Sequence, residues 1–231
     1  MPPSWTFIVS TRNNHKAREI EAILGSNHQL LTLADFPGSP KILEDGDTFE
    51  INARKKALGL AEWLDQTTSS RTRLISPNPV YVLADDSGLE VDFLGGAPGV
   101  RSARFAATED SNTENCTDDQ NNRKLLKLLD GVPEIQRGAR FRCVIALTPL
   151  LIIERAPSAA GISADTIFFT GSCPGRILTA PRGVNGFGYD PLFVPGGYEQ
   201  TFAELGDAAK NGLSHRARAL AKLSDWITTR F

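Results

Sequence analysis

The sequence predicts an α/β or α+β fold built from mixed strands and helices, on three observations. Apolar, β-rich runs at residues 5–10 (WTFIVS) and 80–84 (VYVLA) read as buried strands. Polar turns separate such runs from segments with helical apolar spacing, as at residues 11–14 (TRNN). Alternating strand–helix stretches coexist with hairpin-like ones, which argues against a clean Rossmann wind.

In chain order, the first strand stops at Thr11-Arg12-Asn13-Asn14, and a helix follows. Ala17, Ile20, Ile23 and Leu24 fall on one face of it, and Gly25 ends it. Strand, polar loop and helix start together point backbone N–H groups at an anion. A second helix is predicted over 48–64, with Ala53, Ala57, Leu60 and Leu64 on one face and Asp47 as N-cap. Residues 66–79 are rich in Ser, Thr, Arg and Pro and read as an exposed loop or insertion. The strand at 80–84 then runs into the turn-like Asp85-Asp86-Ser87-Gly88. Beyond it, Leu89, Val91 and Phe93 alternate with Glu90 and Asp92, as in a half-exposed strand. Residues 95–99 form a Gly/Pro turn cluster. A third helix covers 118–129 and is closed by Gly131. Strands are predicted at 141–147 and 167–170, with a small-residue loop at 157–164 between them. A last helix starts near Ser214 and buries Ala217, Leu220, Ala221 and Trp226.

The 231 residues are 41% hydrophobic and 23% charged, enough for one large domain or two joined lobes. A formal charge of -2 gives no global basic field for nucleic acid, so any phosphate must be held by a local cluster. Cys116, Cys143 and Cys173 are scattered, without CxxC or Cys/His ligand spacing, and read as reduced thiols, mostly buried. No basic leader precedes an apolar stretch, and no apolar run approaches the roughly 20 residues that span a bilayer. The expected compartment is the cytoplasm, with no membrane or nucleic-acid partner.

Four groups of residues carry chemistry. Asp85 and Asp86 at a strand end suit Mg²⁺, which prefers hard oxygen ligands and keeps several waters. One of the two also suits a general base on an attacking water. The same pair equally suits a turn that caps local N–H groups. Thr11, Asn13 and Lys16 at the first strand–helix junction offer hydroxyl, amide and ammonium to a triphosphate tail. Lys55 and Lys56 lie early in the second helix, and no Walker A pattern occurs in the chain. Residues 185–191 (NGFGYDP) set Phe187 and Tyr189 on a Gly-rich loop, suited either to stacking on a flat base or to anchoring the loop. Lys210, Ser214, His215 and Arg216 cluster at the start of the last helix. Donors there would donate to a purine 6-keto oxygen and reject a 6-amino group, and the same cluster also suits a helix cap with surface charge. His15, His28 and His215 form no zinc pattern.

Taken in order, STRNNHKAREIEAIL, DGDTFEINARKKA, LADDSGLEVDFLGGAPGVRSARF, ARFRCVIAL, GRI, NGFGYDPLF and KNGLSHRARAL resemble the inosine triphosphate pyrophosphatase family. The likeness runs nearly the whole chain, interrupted at 66–79 and 154–165, which read as insertions. It implies an α/β fold over residues 1–231, two lobes around a long mixed β-sheet with a nucleotide cleft between them, usually as a homodimer. It implies Mg²⁺-dependent attack of water on the α-phosphate of ITP, dITP or XTP, which releases the monophosphate and pyrophosphate. Residue by residue, Asp86 matches the catalytic carboxylate and metal ligand, with Asp85 beside it. Thr11, Asn13, Lys16 and Lys56 match triphosphate contacts, with Arg12 in the same loop and Ser87 beside them. Phe187, Gly188, Tyr189 and Asp190 match the base-binding loop, and Lys210, His215 and Arg216 match residues that read the base.

The chain departs from the family pattern twice. The front loop carries Arg12 where the family has glycine, which points to a reshaped phosphate loop or an added positive contact. The stretch Phe49-Glu50-Ile51-Asn52-Ala53 sets Ile51 where the resemblance implies a metal-binding glutamate. One residue on a helix is a rotation of about 100°, so Glu50 is expected to point away. Either weakened metal affinity, or coordination by Asp85, Asp86, waters and substrate phosphates alone, is then expected. The alternative function is a weakly active or inactive nucleotide-binding relative.

Overall fold

The computed structural model describes residues 4–25, 27–67, 74, 78–108, 115–150 and 165–230. Most of both expected insertions, 66–79 and 154–165, and the small-residue loop at 157–164 lie outside them. The described residues form a six-stranded mixed sheet in the order β2-β1-β3-β4-β5-β6, flanked by helices. The strands are β1 (Thr6–Val9), β2 (Gln29–Thr32), β3 (Val80–Val91), β4 (Gly138–Pro149), β5 (Ile167–Ile177) and β6 (Phe193–Pro195). The helices are α1 (Asn14–Leu24), α2 (Phe49–Gln66), α3 (Asp118–Leu128), α4 (Phe202–Leu213) and α5 (His215–Thr228). Two compact units result. The first takes Met1–Asp86, Val144–Phe169 and Leu220–Phe231, and the second Ser87–Cys143 and Thr170–Ala219.

In the first unit, β1 pairs in parallel with β2 (Thr6 opposite Gln29) and with β3 (Thr6 opposite Val80). Phe7, Ile8, Val82 and Leu83 are fully buried, as an apolar central strand and its neighbour require. Ile20 and Leu24 of α1, and Ala53, Ala57, Leu60 and Leu64 of α2, supply the helical side of this core. Trp5 stacks on Tyr81 at 4.9 Å and meets Trp226 edge-on at 5.6 Å, closing one end of it.

In the second unit, Leu89 and Val91 of β3 pack with Leu125 of α3, Phe141 of β4, Phe193 and Phe202. The almost wholly buried Arg137 donates to the carbonyls of Leu129, Val132, Ile177 and Leu178. Four of its five N–H donors thus find carbonyl acceptors.

Several expected elements differ in detail. Thr48, not Asp47, caps α2: its Oγ1 accepts from Ile51 N at 3.2 Å. The strand expected to end at Asp85 and Asp86 instead continues unbroken to Val91, and the alternative of a capping turn there is not what forms. Phe93 falls beyond that strand in a 3-10 turn and is half exposed. Strands β2 and β6 and helix α4 had no sequence counterpart. Ala221 is exposed, and α5 instead buries Ala217, Ala219, Leu220, Leu223 and Ile227. Cys143 and Cys173 are buried and Cys116 partly so, all as free thiols. Among the described residues no helix is long and apolar enough to cross a membrane.

Candidate active site

In the first unit, β3 brings Asp85 and Asp86 against lysines from α1 and α2. Successive strand residues face opposite ways, and the two carboxylates take different partners. Lys16 Nζ of α1 lies 2.5 Å from Asp85 Oδ1, and Lys56 Nζ of α2 lies 2.8 Å from Asp86 Oδ1. Lys56 also reaches Glu44 Oε2 at 2.6 Å. Charge compensation is what lets a strand carry two carboxylates that are 1% and 6% exposed.

The compensation of Asp86 is incomplete. Burial pushes its carboxyl up, Lys56 and Lys16 pull it down, Glu44 adds a further upward push, and the balance lies at about 6. Burial also works against the charged Lys56, yet Asp86 and Glu44 hold its ammonium above the usual lysine range. Glu44 ends below the usual carboxylate range: burial raises it, but the charge and hydrogen bond of Lys56, a hydrogen bond with Asp86 and the charge of Lys16 bring it down.

The front loop is organised around the cap of α1. Asn13 Oδ1 accepts from His15 N at 2.9 Å and Lys16 N at 3.2 Å, so its amide oxygen is committed to the helix end. Thr11 Oγ1 accepts from Asn13 N at 3.1 Å. Arg12 Nη2 donates to the Ser39 carbonyl at 2.7 Å, which ties the loop to the segment after β2. No described non-glycine residue has positive φ, so Arg12 sits there without the conformation that would demand glycine.

Sequence reasoning missed Glu44. Its signal was the acidic run Glu44-Asp45-Gly46-Asp47 immediately ahead of α2. The run is anchored by buried Asn52, whose side chain accepts from Gly46 N at 2.8 Å and donates to Gly46 O at 3.2 Å. Ile51 covers the same glycine: a Cβ on Gly46 would lie 2.4 Å from Ile51 Cγ2. Its other side is exposed to solvent.

The second unit holds the remaining candidates. Lys210 is buried, with Nζ 2.6 Å from Asp190 Oδ2 and 4.2 Å from the centre of the half-buried Phe187 ring. Asp190 Oδ2 also accepts from Phe187 N at 2.9 Å, closing the loop on itself. Ser214 caps α5 through Oγ, which accepts from Ala217 N. His215 then stacks on Phe141 at 4.8 Å, and buried Arg216 donates to Ser87 Oγ at 2.9 Å. Gly171 of β5 admits this first turn, since a Cβ there would lie 2.0 Å from the His215 carbonyl oxygen. Tyr189 departs from the expectation of a base-stacking residue. It is 4% exposed within the core, its hydroxyl donates to Ser102 O at 2.9 Å, and burial raises its pKa. It anchors the loop and offers no free ring face.

Among the described residues no group of three or more His, Cys, Asp or Glu side chains is placed to hold a metal ion. Mg²⁺ asks for less: one or two carboxylates, with waters and phosphates completing its shell. Asp86 Oδ2 fits that demand. It is a buried carboxylate oxygen without a hydrogen-bond partner, beside a second carboxylate from Glu44. Asp85 is engaged by Lys16 and Glu44 by Lys56.

A mixed α/β sheet that buries carboxylates among lysines defines a class of protein suited to phosphate chemistry. Residues 7–226 match the Ham1 family model, and the chain belongs to the Ham1 family. It is 47% identical over 222 residues to a dITP/XTP pyrophosphatase of Geobacter sulfurreducens, covering 96% of each chain. It is 44% identical over 221 residues to one from Shouchella clausii, again covering 96% of each. The Ham1 protein of Staphylococcus aureus superposes with a TM-score of 0.74 at 30% identity, over 98% of this chain and 100% of that one. A nucleoside-triphosphatase (dITP/XTP pyrophosphatase) structure from Mycobacterium abscessus gives 0.66 at 36% identity, over 94% and 98%.

Proposed function

We propose that the chain is a nucleoside triphosphate pyrophosphatase that converts 6-keto purine triphosphates (ITP, dITP, XTP) to the monophosphate and pyrophosphate. The observation that carries this reading is the open Asp86 oxygen set among Lys56, Lys16 and Glu44. In the metal-free protein a carboxyl balanced near 6 is ionised at neutral pH, which lets it hold a metal ion or take a proton from water. The water oxygen bonds to the α-phosphorus, the bond to the β-phosphate oxygen breaks, and pyrophosphate leaves. Asp86 receives the proton. Lys16 and Lys56 oppose the charge of the tail, with the Thr11–Asn13 loop beside Lys16. We assign Mg²⁺ to Asp86 and Glu44, with Asp85 holding Lys16. When bound, the ion would neutralise phosphate charge and orient the tail.

The 187–190 loop, Lys210, His215 and Arg216 are proposed to read the base. Tyr189 and Asp190 serve there as supports, and Phe187 as the available ring. Ile51 is the one reason to favour a relative that binds without turnover. Assigning the second carboxylate to Glu44 removes that reason and supports an active enzyme. Homodimerisation and a cytoplasmic setting are proposed on the family resemblance, to which the three free thiols add support.

Hydrolysis of ITP in ¹⁸O-water tests the chemistry. Label in the monophosphate is expected; label confined to pyrophosphate or inorganic phosphate places the attack elsewhere and contradicts the mechanism.

A further inference from the structure

The loop proposed above to read the base is gripped from outside its own motif. Gly188 N donates to Asp118 Oδ2 at 2.7 Å, and Gly188 O accepts from Asn122 Nδ2 at 2.9 Å. Both partners belong to α3, one turn apart, and so lie on one face of that helix. They hold both polar groups of the one residue between Phe187 and Tyr189. Gly188 sits at φ +64°, a conformation that glycine adopts without strain.

Neither side chain is explained by the needs of α3 itself. The helix already has a capping box: Thr117 Oγ1 accepts from Gln120 N at 3.2 Å, and Gln120 Oε1 accepts from Thr117 N at 2.9 Å. Asp118 is thus free to turn to the loop. Asn122 shows the same commitment, because its Oδ1 is buried without a hydrogen-bond partner while its Nδ2 is spent on Gly188.

Helix α3 is in turn fixed to the rest of the second unit. Asn121 Oδ1 accepts from Ala106 N at 2.8 Å, and Lys124 Nζ donates to Phe105 O at 2.6 Å. Tyr189 is tied to Ser102, just upstream in the same segment. The loop therefore has an internal brace, Asp190 with Lys210, and an external one, Asp118 with Asn122.

We propose that Asp118 and Asn122 are positioning residues that set the Phe187 ring and thereby the discrimination among purine bases, without acting on the phosphates. This rests on the reading of the 187–190 loop as base-binding. The test compares Asp118→Ala, Asp118→Asn, Asn122→Ala and Phe187→Ala in KM and kcat for ITP, XTP and GTP. Inhibition by inorganic tripolyphosphate serves as a probe of the tail alone.

Loss of either anchor is expected to raise KM for ITP about fivefold and to narrow the preference over GTP. The tripolyphosphate inhibition constant should stay within about twofold, and Asp118→Asn, which keeps an acceptor oxygen, should recover most of the loss. Unchanged KM and preference in both Asp118→Ala and Asn122→Ala, with Phe187→Ala altered, overturns the clamp and leaves the base-loop reading standing. An equal rise in KM and in the tripolyphosphate constant also overturns it, as general disruption. If Phe187→Ala changes nothing, the base-loop reading fails and this inference fails with it. Should Asp118→Ala not fold, Asn122→Ala alone decides between these results.

Discussion

Lys56 Nζ lies 2.8 Å from Asp86 Oδ1, at a point where both side chains are no more than one-tenth exposed. Removing one member of such a buried pair leaves the other charged and without its main compensation. Lys56→Met is expected to cost about 3 kcal/mol of stability. It should also raise the Asp86 carboxyl above its present value near 6, moving the acid limb of kcat/KM to higher pH. Denaturant unfolding and a pH–rate profile check the two effects separately.

Asp86 itself sets a pH dependence of stability whose sign follows from its raised pKa. The folded carboxyl titrates near 6 against 3.8 when unfolded, so between these values the folded chain binds more protons. Stability from this group is fully present below pH 3.8 and is lost as pH rises through 6. Asp86→Asn should abolish Mg²⁺-supported hydrolysis and, in metal-free protein, flatten that part of the stability curve. Thermal unfolding in chelator across pH 4–8 reads it. A variant whose curve parallels the parent's would show that another group is responsible.

The proposed assignment of the second metal carboxylate to Glu44, and not to position 51, can be tested directly. Glu44→Gln is expected to raise the Mg²⁺ concentration for half-maximal rate about tenfold or more. Ile51→Glu should leave that midpoint where it is. The opposite pattern would return the role to position 51. A Mn²⁺-binding titration without substrate gives a second readout of both variants.

Tyr189 is assigned here to support. Tyr189→Phe removes the hydrogen bond to Ser102 O and is expected to cost about 1 kcal/mol of unfolding free energy. Kinetic constants for ITP should stay within about twofold. A large KM increase without loss of stability would put the ring back on the base.

How much of this was legible in the chain depended on how local each determinant is. The β1–loop–α1 opening could be read because an apolar run, a polar turn at 11–14 and a terminal Gly25 all lie within one stretch of sequence. Strands β2 and β6, of four and three residues, are too short to show a period, and Gly206, at φ +77°, breaks the helical pattern of α4. The continuation of β3 through Asp85 and Asp86 was hidden for a different reason. Adjacent carboxylates followed by Ser-Gly look like a turn until Lys16, 69 residues away from Asp85, and Lys56, 30 residues away from Asp86, compensate them. The site followed the same rule. Lys16, Lys56 and Lys210 were visible as residue types in a familiar order. The place of Glu44 depends on the Asn52–Gly46 clamp, and the burial of Tyr189 depends on Ser102. Neither contact has a signature in local sequence.

The central claim is selective cleavage of 6-keto purine triphosphates by an Asp86-centred site. It is tested most directly by pyrophosphate release from ITP, XTP, dITP, GTP and ATP, with Asp86→Asn as control. Turnover of ITP, XTP and dITP well above GTP and ATP, lost in the control, is the expected result. No turnover of any of them, alongside measurable ITP binding, would contradict it and establish a nucleotide-binding protein instead.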